Sequence, residues 1–147
     1  MIERASAGTP IGELVLRPLV RIPPRTTLAE AARAMRTENV ASLVVDTQPP
    51  SLLTERDLVR AMADERDPSG EVITVAARQP VWAPRTLSVL DSAALMVRFG
   101  LRHLVVAGET GEPVGVLSMR DALGMLLPPA DHDAWLSAFG NWLRAPS

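Results

Sequence analysis

The chain carries an internal repeat, which limits its fold more than any other feature of the sequence. "TLAEAARAMRTENVASLVV", from Thr27 to Val45, aligns without a gap on "SVLDSAALMVRFGLRHLVV", from Ser88 to Val106, at a displacement of 61 residues. Further along, "SLLTERDLVRA" and "GVLSMRDALGM" correspond at a displacement of 64, which places three extra residues in the connection "AGETGEPVG". A unit of about 60 residues forms only a marginal core alone, so two copies are expected to pack together.

Each copy has the pattern of an extended segment, a helix, two further strands and a second helix. The first helices open at Thr27 and Ser88, where an acidic residue three positions later gives the spacing of a capping box. Small and apolar residues then recur at helical spacing, which predicts one buried stripe per helix. The stripes are Leu28, Ala31, Ala32 and Met35 in the first copy, and Val89, Ser92, Ala93 and Met96 in the second.

These patterns predict a mixed α/β (α+β) fold of two β-α-β-β-α units packed about a pseudo-twofold axis. A cleft between the halves would then occur twice. The composition of 47% hydrophobic and 22% charged residues is typical of a soluble globular domain.

Charge and cysteine content exclude several classes of function. The net charge of −2 provides no broad basic surface, so no nucleic acid partner is expected. The absence of cysteine excludes disulfides, thiolate metal sites and a thiol nucleophile. No apolar run approaches the ~18 residues of a membrane span. Without a charged-then-apolar leader at Met1, a cytoplasmic protein is expected.

The second helix of each copy opens on a hydroxyl residue and an aspartate, Thr54 with Asp57 and Ser118 with Asp121, and this spacing allows two interpretations. It fits a capping box, in which side chains satisfy free amide groups. It also fits a ligand site, because a carboxylate can accept two hydrogen bonds from a vicinal diol. Free amides and the positive end of a helix dipole also suit phosphate oxygens. A cap and a ligand contact can coexist.

The order and double occurrence of these segments resemble the tandem CBS-domain pair, or Bateman module. The motifs that carry the resemblance are "PLVRIPPRTTLAEAARAM", "VASLVVD" and "LLTERDLVRAM", followed by "QPVWAPRTLSVLDSAALM" and "LRHLVVAGETGEPVGVLSMRDAL". The resemblance implies one CBS motif over residues 11–66 and a second over 71–127, forming one structural unit. It implies a regulatory module, commonly a homodimer, that binds AMP, ADP, ATP or S-adenosylmethionine between the motifs. A regulated protein, not identifiable from the sequence, would read the bound state.

The resemblance also implies roles for individual residues. The aspartates Asp57 and Asp121 would bind ribose hydroxyls, while Thr54 and Ser118 would contact ribose or phosphate. Residues of the first strands would flank the base; these are Val20, Ile22, Val81 and Ala83. Planar donors in the same turns as the aspartates would be Arg56 and Arg120.

One asymmetry distinguishes the two copies. The second has Arg102 and His103 before its central strand, where the first has Ala41 and Ser42. In the resembling family, basic residues at this place commonly reach phosphates, so the two clefts are expected to differ. Trp82 replaces the counterpart of Arg21 and is expected to pack against a neighbouring helix, the alternative being a base stack.

A C-terminal helix is predicted over residues 131–144, beyond the repeated part. Its strongly apolar stripe consists of Trp135, Leu136, Phe139, Trp142 and Leu143. The stripe would pack on its own domain or form a dimer or partner interface. This leaves an alternative function open, a ligand-free dimerisation or interaction module acting through the C-terminal helix. The sequence shows neither metal-ligand spacing nor a base–nucleophile arrangement, so no metal and no catalysis are expected.

Overall fold

The computed structural model describes residues 6–14, 16–76, 80–127 and 132–139. The first repeat consists of β1 (Arg21–Ile22), α1 (Leu28–Glu38), β2 (Ser42–Val45), β3 (Ser51–Thr54) and α2 (Glu55–Ala63). The second repeat consists of β4 (Trp82–Pro84), α3 (Val89–Phe99), β5 (His103–Ala107), β6 (Pro113–Ser118) and α4 (Met119–Leu126). Single 3₁₀ turns precede them at Ile11–Glu13 and Val72–Thr74, and α5 (His132–Phe139) follows.

Each repeat builds its own three-stranded sheet. In the first, β1 runs parallel to β2 and β2 runs antiparallel to β3; β4, β5 and β6 repeat that arrangement. The registers correspond as well, since Val44 faces Leu52 and Val105 faces Val116. The predicted mixed fold of two β-α-β-β-α units is confirmed.

The first helix of each repeat begins and ends at equivalent residues. At Thr27 the capping box is complete, because its amide donates to Glu30 Oε2 at 2.8 Å and the Glu30 amide donates to Thr27 Oγ1 at 3.1 Å. At the other end, Asn39 has φ 53° and its counterpart Gly100 has φ 63°. These two residue types tolerate the left-handed conformation that ends a helix.

The predicted stripes are buried with one exception. Ala32 is exposed, whereas its counterpart Ala93 is buried. Ala32 was therefore wrongly placed in the core, because helical spacing alone does not show where the buried face of a helix ends. In the second stripe, the Ser92 hydroxyl is fully buried and has no hydrogen-bond partner among the described residues.

The two sheets pack against each other through a small apolar cluster. Val44 and Leu52 of the first sheet meet Val105 of the second, and Leu19 and Trp82 pack against them. Trp82 therefore packs on the cluster between the two sheets, and its expected contact with a helix stays a prediction. This cluster joins the two separate hydrophobic cores of the repeats into one body.

The segment before each repeat packs into the core of the other repeat. Ile11, which precedes the first repeat, is 0% exposed in the core of the second. Val72, which precedes the second repeat, is 0% exposed in the core of the first. The two halves are thus interlocked by exchanged segments.

Equivalent backbone hydrogen bonds hold the exchanged segments. The Ile11 amide donates to the Leu87 carbonyl at 2.8 Å, and the Val72 amide donates to the Thr26 carbonyl at 2.8 Å. The two donors, Ile11 and Val72, are 61 residues apart in sequence, and so are the two acceptors, Thr26 and Leu87. The repeat therefore extends in structure to segments whose side chains scarcely resemble one another.

Helix α5 lies within the range predicted for the C-terminal helix. Of the predicted stripe, the side chains of Trp135, Leu136 and Phe139 and all of Trp142 and Leu143 lie outside the described part of the chain. Their role at an interface stays a prediction. None of the helices in the described ranges is both long and apolar enough to cross a membrane.

Candidate ligand-binding cleft

A cavity of about 1200 Å³ lies between the two repeats. The first repeat contributes the C-terminal half of α1, and the second contributes the end of β6 and the beginning of α4. Ala32, exposed on α1, forms part of this wall. The cavity is large enough for a nucleotide-sized ligand.

Sheet pairing brings Arg102 and His103 close to the N-terminus of helix α4. His103 opens β5 and pairs with Ser118, the residue that caps α4. The Met119 amide at the start of α4 donates to the Arg102 carbonyl at 2.8 Å. Arg102, His103, Ser118 and Arg120 all line the cavity, so the structure brings four of the predicted site residues together.

The charged residues of the cavity wall are predominantly basic. Its arginines are Arg17, Arg36, Arg102 and Arg120, and its one acidic residue among those described is Glu55. A wall of this composition favours an anionic ligand, although the whole chain has a net charge of −2. Guanidinium groups also suit the planar, two-point recognition of phosphate.

His103 contributes to the cavity as a neutral ring. Burial lowers the pKa of His103 below its usual value, and Arg102 and Arg17 lower it further, while Glu55 and Asp121 act in the opposite direction. The ring therefore adds no charge near neutral pH. It remains able to donate or accept one hydrogen bond at each nitrogen according to its tautomer.

The Asp121 carboxylate accepts hydrogen bonds from other residues of the chain. Arg17 Nε donates to Asp121 Oδ2 at 2.9 Å and Arg17 Nη2 donates to Oδ1 at 3.3 Å. Ser118 Oγ also donates to Oδ2 at 2.7 Å, and the Asp121 amide donates to Ser118 Oγ at 3.1 Å. The hydrogen bond from Arg17 is the main cause of the lowered pKa of Asp121. Both carboxylate oxygens thus have partners.

At the equivalent turn of the first repeat, the Thr54 amide and hydroxyl donate to Asp57 Oδ2 at 2.8 Å and 2.9 Å. The capping interpretation is therefore realised at the first turn of both helices. Thr54, Arg56 and Asp57 are not among the residues that line the described cavity. A ligand role for these three residues stays a prediction.

The residues predicted to flank a base lie apart from the cavity wall. Ile22 and Ala83 are buried in the cores of the two repeats, and Val20 packs partly against the first core. Val81 is exposed. Because these side chains face the cores or solvent, their contact with a base also stays a prediction.

Sequence reasoning missed two arginines of the cavity wall, Arg17 and Arg36. Arg17 carried a signal that could have been found, because Arg78 stands 61 residues later at the equivalent position of the repeat. Arg78 lies outside the described residues. Arg36 has no such signal, since its counterpart is Val97. Within the described ranges, no group of histidine and acidic residues is arranged to hold a metal ion.

Comparison with known proteins gives a consistent result. The profile of the CBS domain matches residues 11–64 and 71–128. A CBS domain protein of Pyrobaculum aerophilum, solved as a complex with AMP, is 31% identical with a TM-score of 0.69; the match covers 89% of this chain and 98% of that one. An uncharacterized 17.7 kDa protein of Acidianus ambivalens is 32% identical over 123 residues, which are 82% of this chain and 74% of that protein.

A more distant structure shares the fold. The CBS domain pair of protein MJ0100, solved in complex with 5′-methylthioadenosine and S-adenosyl-L-methionine, is 16% identical with a TM-score of 0.69, over 78% of this chain and 93% of that one. The family profile spans most of the chain, and the structural neighbours share its two-repeat fold. This chain therefore belongs to the CBS domain family and contains two CBS motifs.

Proposed function

We propose that this chain is a regulatory module that binds an adenosine phosphate in the cleft between its two CBS motifs. The observation that carries the proposal is the cavity between the repeats, whose wall presents four arginines and one glutamate. The AMP complex of the 31% identical relative supports an adenine nucleotide as the ligand.

The phosphate end of the ligand is proposed to lie near Arg102 and Arg120. Both residues line the cavity beside the first turn of α4, where the positive end of the helix dipole adds to the attraction for an anion. Arg36 lines the same cavity from α1, in the other repeat. A ligand that contacts Arg36 as well as Arg102 or Arg120 would bridge the two repeats.

This charge favours AMP, ADP or ATP over S-adenosylmethionine. S-adenosylmethionine carries a sulfonium, an ammonium and a carboxylate group, so its net charge is positive, and it has no phosphate. The arginines of the cavity wall that lack an acidic partner on that wall therefore favour a phosphorylated ligand over it. The proposed ligand class is thus the phosphorylated adenosines.

Signalling is proposed to occur by a shift between arrangements of the two repeats. A ligand that contacts both walls stabilises the arrangement in which it binds best, and a partner protein reads that arrangement. The role is regulatory rather than catalytic, and a homodimer is the proposed assembly. The identity of the partner is left to experiment.

Thermal melting with added nucleotides tests the proposal. AMP, ADP and ATP are expected to raise the melting temperature in a concentration-dependent manner, by a stabilisation of about 2.7 kcal/mol at 100 times Kd. Guanine nucleotides and S-adenosylmethionine are expected to have smaller effects. Ala32→Trp, which fills the cavity from α1, should abolish the shift, and Ala94→Trp on the exposed side of α3 should preserve it.

The absence of a shift with every adenine nucleotide would contradict the proposal. It would instead favour the alternative, a ligand-free dimerisation or interaction module acting through its C-terminal helix. A shift that survives Ala32→Trp would place the binding site elsewhere on the molecule.

A further inference from the structure

The described segment before β1, called the leading segment below, reaches the cleft at Arg17. Residues 16 and 17 lie against β6, where Arg17 forms a backbone bridge with Val116. Leu16 crosses Gly115 so closely that a Cβ at Gly115 would stand 2.6 Å from the Leu16 Cβ. The backbone that carries Arg17 is thus held in place on the second repeat, with its side chain on the cavity wall.

Arg17 engages the same atoms that a ribose would need. Its Nε and Nη2 groups donate to Oδ2 and Oδ1 of Asp121, and Ser118 Oγ donates to Oδ2 as well. A vicinal diol binding this carboxylate would also donate to both oxygens. The two arrangements compete, because Oδ2 already accepts two hydrogen bonds and a diol that donates to both oxygens has to displace one of them. Arg17 lines the cavity, whereas Asp121 is not among the lining residues.

We propose that Arg17 is an internal competitor that holds Asp121 until the ribose of a ligand replaces it. The inference rests on the proposed function and adds a regulatory element to the same site. Displacement frees the Arg17 guanidinium for the phosphate of the same ligand. It also breaks a contact between the leading segment and the second repeat, which makes the segment responsive to binding.

The sequence of the other repeat has the same two residue types at the equivalent positions. Arg78 and Asp57 stand at the positions equivalent to Arg17 and Asp121. Arg78 lies outside the described residues, so this equivalence is one of sequence. Arg78→Met provides a test of whether both repeats use the same device.

The expected size of the competition is modest. The side chains of Arg17 and Asp121 are 45% and 26% exposed, so solvent screens their attraction. Removing the arginine is therefore expected to strengthen the binding of a neutral nucleoside by about two- to fivefold. Adenosine is the appropriate probe, because it presents the diol without a phosphate.

Calorimetric titration with adenosine and AMP tests the inference in wild type, Arg17→Met and Arg98→Met. Arg17→Met should bind adenosine more tightly and show a smaller ratio of AMP to adenosine affinity. Arg98, exposed on α3 and absent from the cavity wall, provides a matched loss of charge that should change neither affinity. Adenosine affinity that is unchanged or reduced in Arg17→Met would overturn the inference.

The outcomes separate this inference from the proposed function. AMP binding to wild type without tighter adenosine binding in Arg17→Met overturns the inference alone, whereas no binding to either protein overturns both. A ligand-independent readout is the carboxyl titration of Asp121 by NMR. Arg17→Met should raise the pKa of Asp121 towards its ordinary value, and an unchanged pKa would show that the pair is not formed in solution.

Discussion

Ile11→Ala is expected to destabilise the second CBS motif by about 2–5 kcal/mol, although Ile11 belongs to the first motif in sequence. Its side chain is 0% exposed in the core that Val89, Met96 and Leu104 build in the second repeat. Truncation would leave a cavity there, because neighbouring side chains relax only partly. Chemical denaturation measures the loss, which corresponds to a fall in melting temperature of about 10 °C for a chain of this size.

Leu90→Ala is the matched control for this prediction, since Leu90 is 53% exposed on the same repeat and its truncation should change stability by about 0.5 kcal/mol or less. Hydrogen exchange locates the effect: Ile11→Ala should accelerate exchange in β5 and β6 more than in β2 and β3. A loss below about 0.5 kcal/mol, or one confined to the first repeat, would refute the exchanged packing.

Arg102→Ala is expected to weaken the binding of AMP and ATP by about 10- to 100-fold while leaving adenosine within about twofold. A charge-assisted hydrogen bond contributes about 1.5–3 kcal/mol, which corresponds to that range of affinity. Arg102 lines the cavity beside the start of α4, where the phosphate end of the ligand is proposed to lie. Calorimetric titration of each ligand measures the three affinities.

Arg98→Ala is the control for this second prediction, because it removes the same charge from the exposed face of α3. It should leave all three affinities unchanged within a factor of about two at physiological salt. Equal losses for AMP, ATP and adenosine in Arg102→Ala would show that Arg102 supports the cleft structurally and does not bind the phosphate.

Local signals in the sequence predicted the elements of this fold. The capping box at Thr27 and the tolerance of Asn39 and Gly100 for a left-handed conformation act within one helical turn. Apolar spacing likewise predicted burial at Leu28 and Met35 and at both of their counterparts, Val89 and Met96. Because each of these signals occurs in both repeats, the packing of two similar halves could also be predicted.

Non-local contacts account for what the sequence did not predict. Ile11 and Val72 exchange cores through backbone hydrogen bonds, which leave little trace in side-chain identity. Ala32 is exposed and lines the cavity between the repeats, which spacing within one helix does not predict. Arg17 and Asp121 are 104 residues apart in sequence, and residue spacing does not predict contacts over such a separation.

The two aspartates show a further limit of sequence patterns. A hydroxyl residue followed by an aspartate three positions later fits both a cap and a ribose contact. In the structure, Asp57 caps its own helix by accepting a hydrogen bond from the Thr54 amide, and Asp121 binds Ser118 and Arg17. Neither arrangement excludes a ligand that displaces these partners, so the choice depends on binding energies rather than on spacing.

A crystal structure of the chain with saturating AMP tests the central claim most directly. The account predicts AMP between the two repeats, with its phosphate within hydrogen-bonding distance of the Arg102 guanidinium. AMP bound outside this cleft, or a cleft that remains without AMP at saturation, would contradict the account.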